Sequence, residues 1–383
     1  MLAAGAAAAA CAAAFGIGLP VIVPQLREEY GLSLREIGVL LAAAWIGGTM
    51  TLLPWGLAAD RVGERVVLTA GLLGSALALV GAAYAPSYEA LLIYLGLAGA
   101  AGGAVNAASG RAVMHWFAAD ERGLALGVRQ TAIPLGGLVA ALSLPALAAR
   151  GGSEAAFLFL GALAASGALV GAVVLRGREA KDGIEAASVG RTIVDGRLWR
   201  LSVASGLYLY AQVAVIGFGV LFLVDEHGLS KQSAALVFAG GQVLAMVFRV
   251  GAGRWSDLLR ARIVPLRRVG IAVVAILLAT AALAGGPVWL LVPVLILACG
   301  LTMAWNGLSF TAAAELAGPV RSGAALGLQQ TVLSASGVVG PVLFAACVSL
   351  VSWPLAFVVA ALFPLVGWWM LGSLSERRHT ATG

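Results

Sequence analysis

Three arginines lie inside long apolar segments of the sequence, namely Arg111, Arg129 and Arg249. A charged side chain at the centre of a bilayer costs about 2.5–3.5 kcal/mol even on insertion scales, so such a residue persists when it is paired or functional. All 18 acidic residues fall outside the apolar segments, which leaves these arginines without a carboxylate partner there. An anionic substrate would supply the missing charge, because a guanidinium group binds carboxylates and similar anions through several N–H donors.

Hydrogen bonding to backbone carbonyls, or snorkelling towards the cytoplasmic surface, is the alternative explanation for each arginine. Arg249 lies eight residues before Asp257, about 12 Å along a helix, which places it near the middle of a bilayer. Arg129 lies seven residues after Arg122, which places it about 10 Å along a helix from the predicted cytoplasmic end of its span. Arg111 is close to an aromatic pair at the predicted membrane surface, so of the three arginines it is the one for which snorkelling is the strongest alternative to substrate binding.

Neutral polar residues on the same segments could complete an anion site. Unpaired amides are costly in hydrocarbon, and four amide residues form two pairs separated by 200 positions: Asn106, Asn306, Gln130 and Gln330. Tyr208 and Trp305 are weaker candidates, because aromatic residues of membrane helices more often pack against their neighbours. The alternative role for the amides is to hold helices together.

His115 is the one histidine inside a predicted span, and it lies on the same helical face as Arg111. An imidazole gains and loses a proton near neutral pH, which suits a proton relay. A place in the aromatic belt at the membrane surface is the alternative. The sequence has no phosphate-binding P-loop and no metal-ligand spacing among its three cysteines and three histidines, so it predicts neither a cofactor, a metal nor an enzyme.

The composition excludes a water-soluble globule. Of 383 residues, 61% are hydrophobic and only 11% are charged, whereas soluble domains have about 45–50% and about 25%. The mean hydropathy is +0.98. The 51 glycines suit closely packed membrane helices. The chain is therefore expected to be a multi-pass membrane protein.

Apolar windows bounded by charged or turn-forming residues predict twelve transmembrane helices. Their ranges are 3–24, 37–58, 66–85, 90–116, 123–148, 155–176, 200–224, 233–253, 269–286, 288–314, 323–349 and 353–373. Seventeen basic residues fall on one set of alternate connections and four on the other. Because basic residues collect on the cytoplasmic side, both termini are predicted to face the cytoplasm of a plasma or inner membrane.

The second half of the sequence repeats the first. ALGVRQT at 125–131 matches ALGLQQT at 325–331 in five of seven positions. The longest polar connection, 177–199, separates six predicted spans from six. We therefore expect an N-terminal bundle at 1–176, a cytoplasmic linker, and a C-terminal bundle with a short tail at 200–383. Two halves in the same orientation are typical of alternating-access transporters.

Two loop segments carry a family resemblance. GLAADRVGER at 56–65 resembles the loop signature of the major facilitator superfamily, and GRWSDLLRAR at 253–262 is a degenerate copy of it. With twelve spans and the repeat, the resemblance covers the whole chain. Segments 106–137 and 305–318 look like the anion-transporting branches, the cyanate and nitroimidazole-type porters and more distantly the nitrate/nitrite and oxalate carriers. The nitrate signature is absent and Leu52 occupies the position symmetric to Arg249, which argues against nitrate itself.

The resemblance also implies a gating role for the two loops. In this family the loop aspartate and its basic neighbours hold the two halves together on the cytoplasmic side of an outward-facing carrier. The matching positions here are Gly56, Asp60, Arg61, Gly63, Arg65 and, in the second copy, Asp257. The alternative is that these charges only set the topology.

We therefore expect an all-α integral membrane protein of the major facilitator fold. It would move a small organic or inorganic anion by alternating access, as a monomeric symporter or exchanger whose partners are the anion, protons or a counter-anion, and lipid. Arg249 and Arg129, with a smaller part for Arg111, would neutralise the anion, and the four amides would orient it. A drug exporter of the same fold should carry a membrane-embedded acid. A non-transporting membrane sensor should carry an added soluble domain.

Overall fold

The computed structural model describes residues 2–109, 130–174, 192, 194–318 and 321–374, and within these ranges it contains helices and no strand. The helices are α1 (Leu2–Tyr30), α2 (Leu34–Val62), α3 (Glu64–Ala83), α4 (Tyr88–Ser109), α5 (Ala132–Val174), α6 (Gly196–Asp225), α7 (Lys231–Leu259), α8 (Ile263–Leu283), α9 (Val288–Thr302), α10 (Trp305–Ala317), α11 (Ser322–Leu350) and α12 (Trp353–Leu371).

Eleven helical stretches of the described residues are long and apolar enough to cross a membrane. The longest, within α5, contains two crossings, because Gly151 and Gly152 interrupt it with non-helical backbone angles. Gly152 has φ 63°, a conformation that glycine adopts without steric cost. Counting α5 as two crossings gives the twelve spans that the sequence predicts.

The span predicted as unbroken over 288–314 is interrupted in the structure. Met303 and Ala304 form a turn between α9 and α10. Their N–H groups donate to the carbonyls of Gly300 and Leu301, three residues back, at 3.2 and 3.1 Å. This tight turn replaces the four-residue bonding pattern of an α-helix.

Helices recur in the second half at nearly the offset of the sequence repeat. Glu64 and Ile263 begin α3 and α8, while Tyr88 and Val288 begin α4 and α9, so the paired starts are 199 and 200 residues apart. The first residues of α6 fall inside the predicted linker, since the helix begins at Gly196. The linker segment 177–191 lies outside the described residues.

Two helix pairs carry most of the packing between the halves: α2 with α11, and α5 with α7. A Cβ atom on Gly38 would lie 2.9 Å from the carbonyl oxygen of Pro341, and the indole of Trp45 lies against Gly337. A Cβ on Gly137 would lie 3.0 Å from the amide of Gln242. Glycine at these positions therefore allows the helices to approach closely.

Charged residues gather at the two ends of the bundle. At one end, called here the Arg27 end, Arg27 pairs with Asp225 and Lys231 pairs with Glu28, so both ion pairs join the two halves. The Lys231 ammonium also donates to Gln25 Oε1 at 2.7 Å.

The opposite end, called here the Arg262 end, carries Arg262 with its acidic partners. There the guanidinium of Arg267 lies 4.8 Å from the ring centre of Trp368. Residues that the sequence assigns to opposite sides of the membrane thus lie at opposite ends.

Candidate functional site

Arg249 is buried in α7, with 1% of its surface exposed. Its Nε donates to the carbonyl oxygen of Met303 at 2.9 Å. Nη1 donates to the carbonyl oxygen of Gln130 at 2.5 Å, and Nη2 donates to Oδ1 of Asn306 at 2.5 Å. Because Gln130 belongs to the first half of the chain and the other residues to the second, this guanidinium bridges the halves.

The break between α9 and α10 explains one of these bonds. In a continuous helix the carbonyl of residue 303 would accept the N–H of residue 307. At the break formed by Met303 and Ala304, the carbonyl oxygen of Met303 instead accepts a hydrogen bond from Arg249. Broken transmembrane helices present free backbone groups in this way at the substrate sites of many transporters.

The three acceptors around Arg249 are all neutral. A guanidinium is always protonated in a protein and has five N–H donors, of which three are engaged here. Within the described part of the chain, no carboxylate pairs with Arg249; the buried charged residues besides it are Asp257 and Arg262, which pair with each other. As far as the described residues show, the site is therefore a buried positive charge with two N–H donors that have no acceptor.

A neutral polar cluster includes a residue of α10, the helix that also carries Asn306. It comprises Ser205 of α6, Ser309 of α10 and Gln329 of α11, all at most 1% exposed. The two hydroxyl oxygens lie 2.5 Å apart. Gln329 Nε2 donates to the hydroxyl of Ser309, and lies 3.4 Å from that of Ser205. Trp305, one turn before Ser309, is fully buried.

Tyr208, Gln130 and Gln330, three other predicted binding residues, differ in burial and contacts. Tyr208 is buried edge-on to Trp305, with ring centres 6.2 Å apart. Gln130 has a buried side chain, but its backbone carbonyl is what contacts Arg249. Gln330 is only half-buried, whereas the neighbouring Gln329 is fully buried.

For the other predicted residues, the structure describes at most the backbone. Arg111, Arg129 and His115 lie outside the described residues, and so does the side chain of Asn106, whose backbone belongs to α4.

The predicted gating residues occupy both copies of the loop. Gly63 joins α2 to α3 at φ 85°, and a Cβ on Gly56 would meet no described atom within 4 Å. Arg61 and Arg65 are exposed; the side chain of Asp60 lies outside the described residues.

In the second copy, Asp257 pairs with Arg262 of its own half. Arg262 also bonds Glu315 at 3.0 Å and the hydroxyl of Ser256 at 2.6 Å. This network ties α7 to the end of α10, so the second loop copy braces the helix that carries Asn306.

Sequence reasoning did not find the two serines or Gln329. For Gln329 a signal existed, because it is the repeat counterpart of Arg129 at an offset of 200 residues. For Ser205 and Ser309 no signal existed, since single serines are common in membrane helices and usually bond their own backbone.

Comparison with known proteins decides the family. Residues 5–341 match the model described as Major Facilitator Superfamily. The chain belongs to the major facilitator superfamily. An uncharacterized MFS-type transporter of Mycobacterium tuberculosis is 35% identical over 358 residues, covering 91% of this chain and 79% of that protein. A probable nitrate/nitrite antiporter of Thermus thermophilus is 33% identical over 283 residues, covering 68% and 61%.

Solved structures share the fold of this superfamily member. The crystal structure of a bacterial homologue of the human lysosomal transporter Spinster aligns with a TM-score of 0.79 at 15% identity, covering 97% of this chain and 95% of that one. The fold class expected from the sequence is confirmed. The chain is a multi-pass transporter of a cell membrane, and its family membership confirms the expectation that it is not an enzyme.

Proposed function

We propose that this transporter moves a small anion by alternating access and that Arg249 binds the anion. The observation that carries the proposal is a fully buried guanidinium at the contact of the two halves, held by three neutral acceptors. Hydrogen bonds to a charged group contribute about 1.5–3 kcal/mol each. An anion that used the two spare donors would gain these bonds and neutralise the site.

The drug-exporter alternative has less support. A carrier that exchanges a cation for a proton needs a buried carboxylate that can change its charge. Among the described residues the buried acid is Asp257, and it is already paired with Arg262. The relative named as a probable nitrate/nitrite antiporter is in line with an anionic substrate.

The contacts between the halves fit one state of the transport cycle. Among the described residues, the ion pairs that join the halves lie at the Arg27 end, which the distribution of basic residues assigns to the outside. With both termini in the cytoplasm, the structure would be a state that is closed to the outside.

The proposal is tested by thermal stabilisation of the purified protein with inorganic and organic anions, cations and lipophilic drugs. A ligand at 100 times its dissociation constant adds about 2.7 kcal/mol to the stability of its binding partner. We expect stabilisation by anions in the wild type and its loss in Arg249→Gln. Arg254→Gln removes the same charge from an exposed position of the same helix and serves as the control.

Arg249→Lys keeps the charge but loses the forked donors, so it should retain weakened binding. Stabilisation by lipophilic cations alone, unchanged by Arg249→Gln, would contradict the proposal and favour an exporter.

The proposed carrier works as an exchanger or as a proton symporter, and proteoliposomes distinguish the two modes. In exchange, uptake of labelled anion requires unlabelled anion inside and survives collapse of the pH gradient. In symport, an imposed pH gradient drives uptake into empty vesicles.

A further inference from the structure

We infer that Ser205, Ser309, Gln329 and Trp305 form a second subsite beside Arg249, which binds hydroxyl groups of the substrate. The substrate class would then be a hydroxylated organic carboxylate with a single negative charge. This inference rests on the proposed function, because it takes the anion at Arg249 as its starting point.

The geometry of α10 places the two subsites next to each other. Successive residues of an α-helix are about 100° apart, so Ser309 lies between Trp305 and Asn306 around the helix axis. It also lies about 4.5 Å along the axis from Asn306, the residue that contacts Arg249. A carboxylate bound at Arg249 would thus have its next carbon atoms alongside the cluster.

Unpartnered atoms in the cluster indicate a ligand. The indole N–H of Trp305 and Oε1 of Gln329 are both inaccessible and have no hydrogen-bond partner among the described residues. The same is true of the hydroxyl of Ser202, one turn before Ser205. Buried polar side chains are normally hydrogen-bonded, so each exception calls for an explanation, and a bound ligand is one such explanation. A cluster that served only to join helices would be expected to satisfy its own members.

The chemistry of these groups selects the ligand. The indole offers a donor and the amide oxygen an acceptor, and the Ser309 hydroxyl can accept a further bond. The Ser205 hydroxyl already donates to the carbonyl oxygen of Leu201 at 2.7 Å. A substrate hydroxyl both donates and accepts, so it can bond the free indole N–H and the free amide oxygen. The cluster contains no charged side chain, so a second carboxylate there would lose its hydration without gaining a counter-charge.

The test uses three-carbon carboxylates that differ only in their hydroxyl groups: propionate with none, lactate with one and glycerate with two. Equilibrium binding is measured on the purified full-length transporter. Because a neutral hydrogen bond contributes modestly and a buried unpaired group is penalised, we expect glycerate to bind roughly three- to tenfold more tightly than propionate.

Two variants each remove one polar group from the cluster and keep the rest of it. Ser309→Ala removes one hydroxyl, and Trp305→Phe removes the indole N–H while keeping an aromatic ring against Tyr208. Each should reduce the ratio of glycerate affinity to propionate affinity to about one. Thr311→Val is the matched control, since Thr311 has a fully buried hydroxyl on the same helix that donates to the carbonyl of Gly307 in its own helix.

Equal binding of propionate and glycerate by the wild type would overturn the inference and leave the anion site at Arg249 standing. A preference for glycerate that survives both variants would also overturn it. If none of the carboxylates or inorganic anions bound, or if Arg249→Gln bound them all as the wild type does, the proposed function itself would fail.

Discussion

Arg249 is held in place by backbone and amide oxygens, which orient a guanidinium without neutralising it. Carbonyls from Met303 and Gln130 and the amide of Asn306 each accept one bond. A structural arginine at this depth would normally have an acid beside it, because a paired charge is far less costly to bury. The neutral shell therefore suits a residue whose counter-ion arrives as substrate.

Replacing Asn306 by aspartate tests this interpretation with almost no change of shape. Asn306→Asp would place a carboxylate on Arg249 Nη2 and supply the missing charge from within the protein. We expect a higher melting temperature and a loss of anion binding of at least tenfold, because the substrate would then compete with a permanent partner. Both quantities are read from thermal unfolding with and without anion.

Asn306→Ala is the control for that experiment. It removes the acceptor but adds no charge, so it should lower the melting temperature and weaken anion binding less than Asn306→Asp does. Unaltered anion binding by Asn306→Asp would mean that the substrate does not use Arg249.

The helices themselves were largely predictable, and the interruption that shapes the site was not. Apolar length and the distribution of basic residues identify the spans, and the sequence repeat gives their pairing. Glycine is so frequent in this sequence that Gly300 does not mark the turn at Met303 and Ala304, and the Met303 carbonyl accepts its bond from Arg249, 54 residues earlier in the chain. The serine cluster likewise arises only when α6, α10 and α11 come together.

Glycine contacts between helices give a prediction for packing. A Cβ on Gly136 would lie 2.7 Å from the backbone nitrogen of Ala14 and 3.0 Å from the carbonyl carbon of Ala13, so Gly136→Ala would force α5 away from α1. Such overpacking costs about 1–3 kcal/mol. We therefore expect a lower melting temperature in detergent for this variant.

Gly219 of α6 provides the comparison, because a Cβ there meets no described atom within 4 Å. Gly219→Ala should raise the stability by about 0.5–1 kcal/mol, since alanine loses less backbone freedom in a helix. Equal melting temperatures for the two variants would mean that α1 and α5 do not approach as closely as described.

At the scale of the whole molecule, the ion pairs at the Arg27 end join the halves where the packing of α2 against α11 is also tight. Arg27 and Asp225 keep 35% and 25% of their side-chain surface exposed, so each such pair contributes only about 0–1 kcal/mol. A weak contact of this kind can form and break in each cycle, whereas a fully buried ion pair would hold the carrier in one state.

Charge reversal at this contact should shift the population of states. Asp225→Arg would place two guanidinium groups together, so we expect the halves to separate at the Arg27 end in a larger fraction of molecules. Spin labels on Ala149 and Leu350, exposed residues of opposite halves near this end, would report the change as a longer distance, in a background with Cys11, Cys299 and Cys347 replaced by alanine. The double exchange Arg27→Asp with Asp225→Arg restores the opposite charges and should restore the wild-type distances. About 1 M salt should reduce the lengthening in Asp225→Arg, because salt screens exposed charges. Unchanged distances in Asp225→Arg would mean that helix packing, and not this ion pair, keeps the Arg27 end closed.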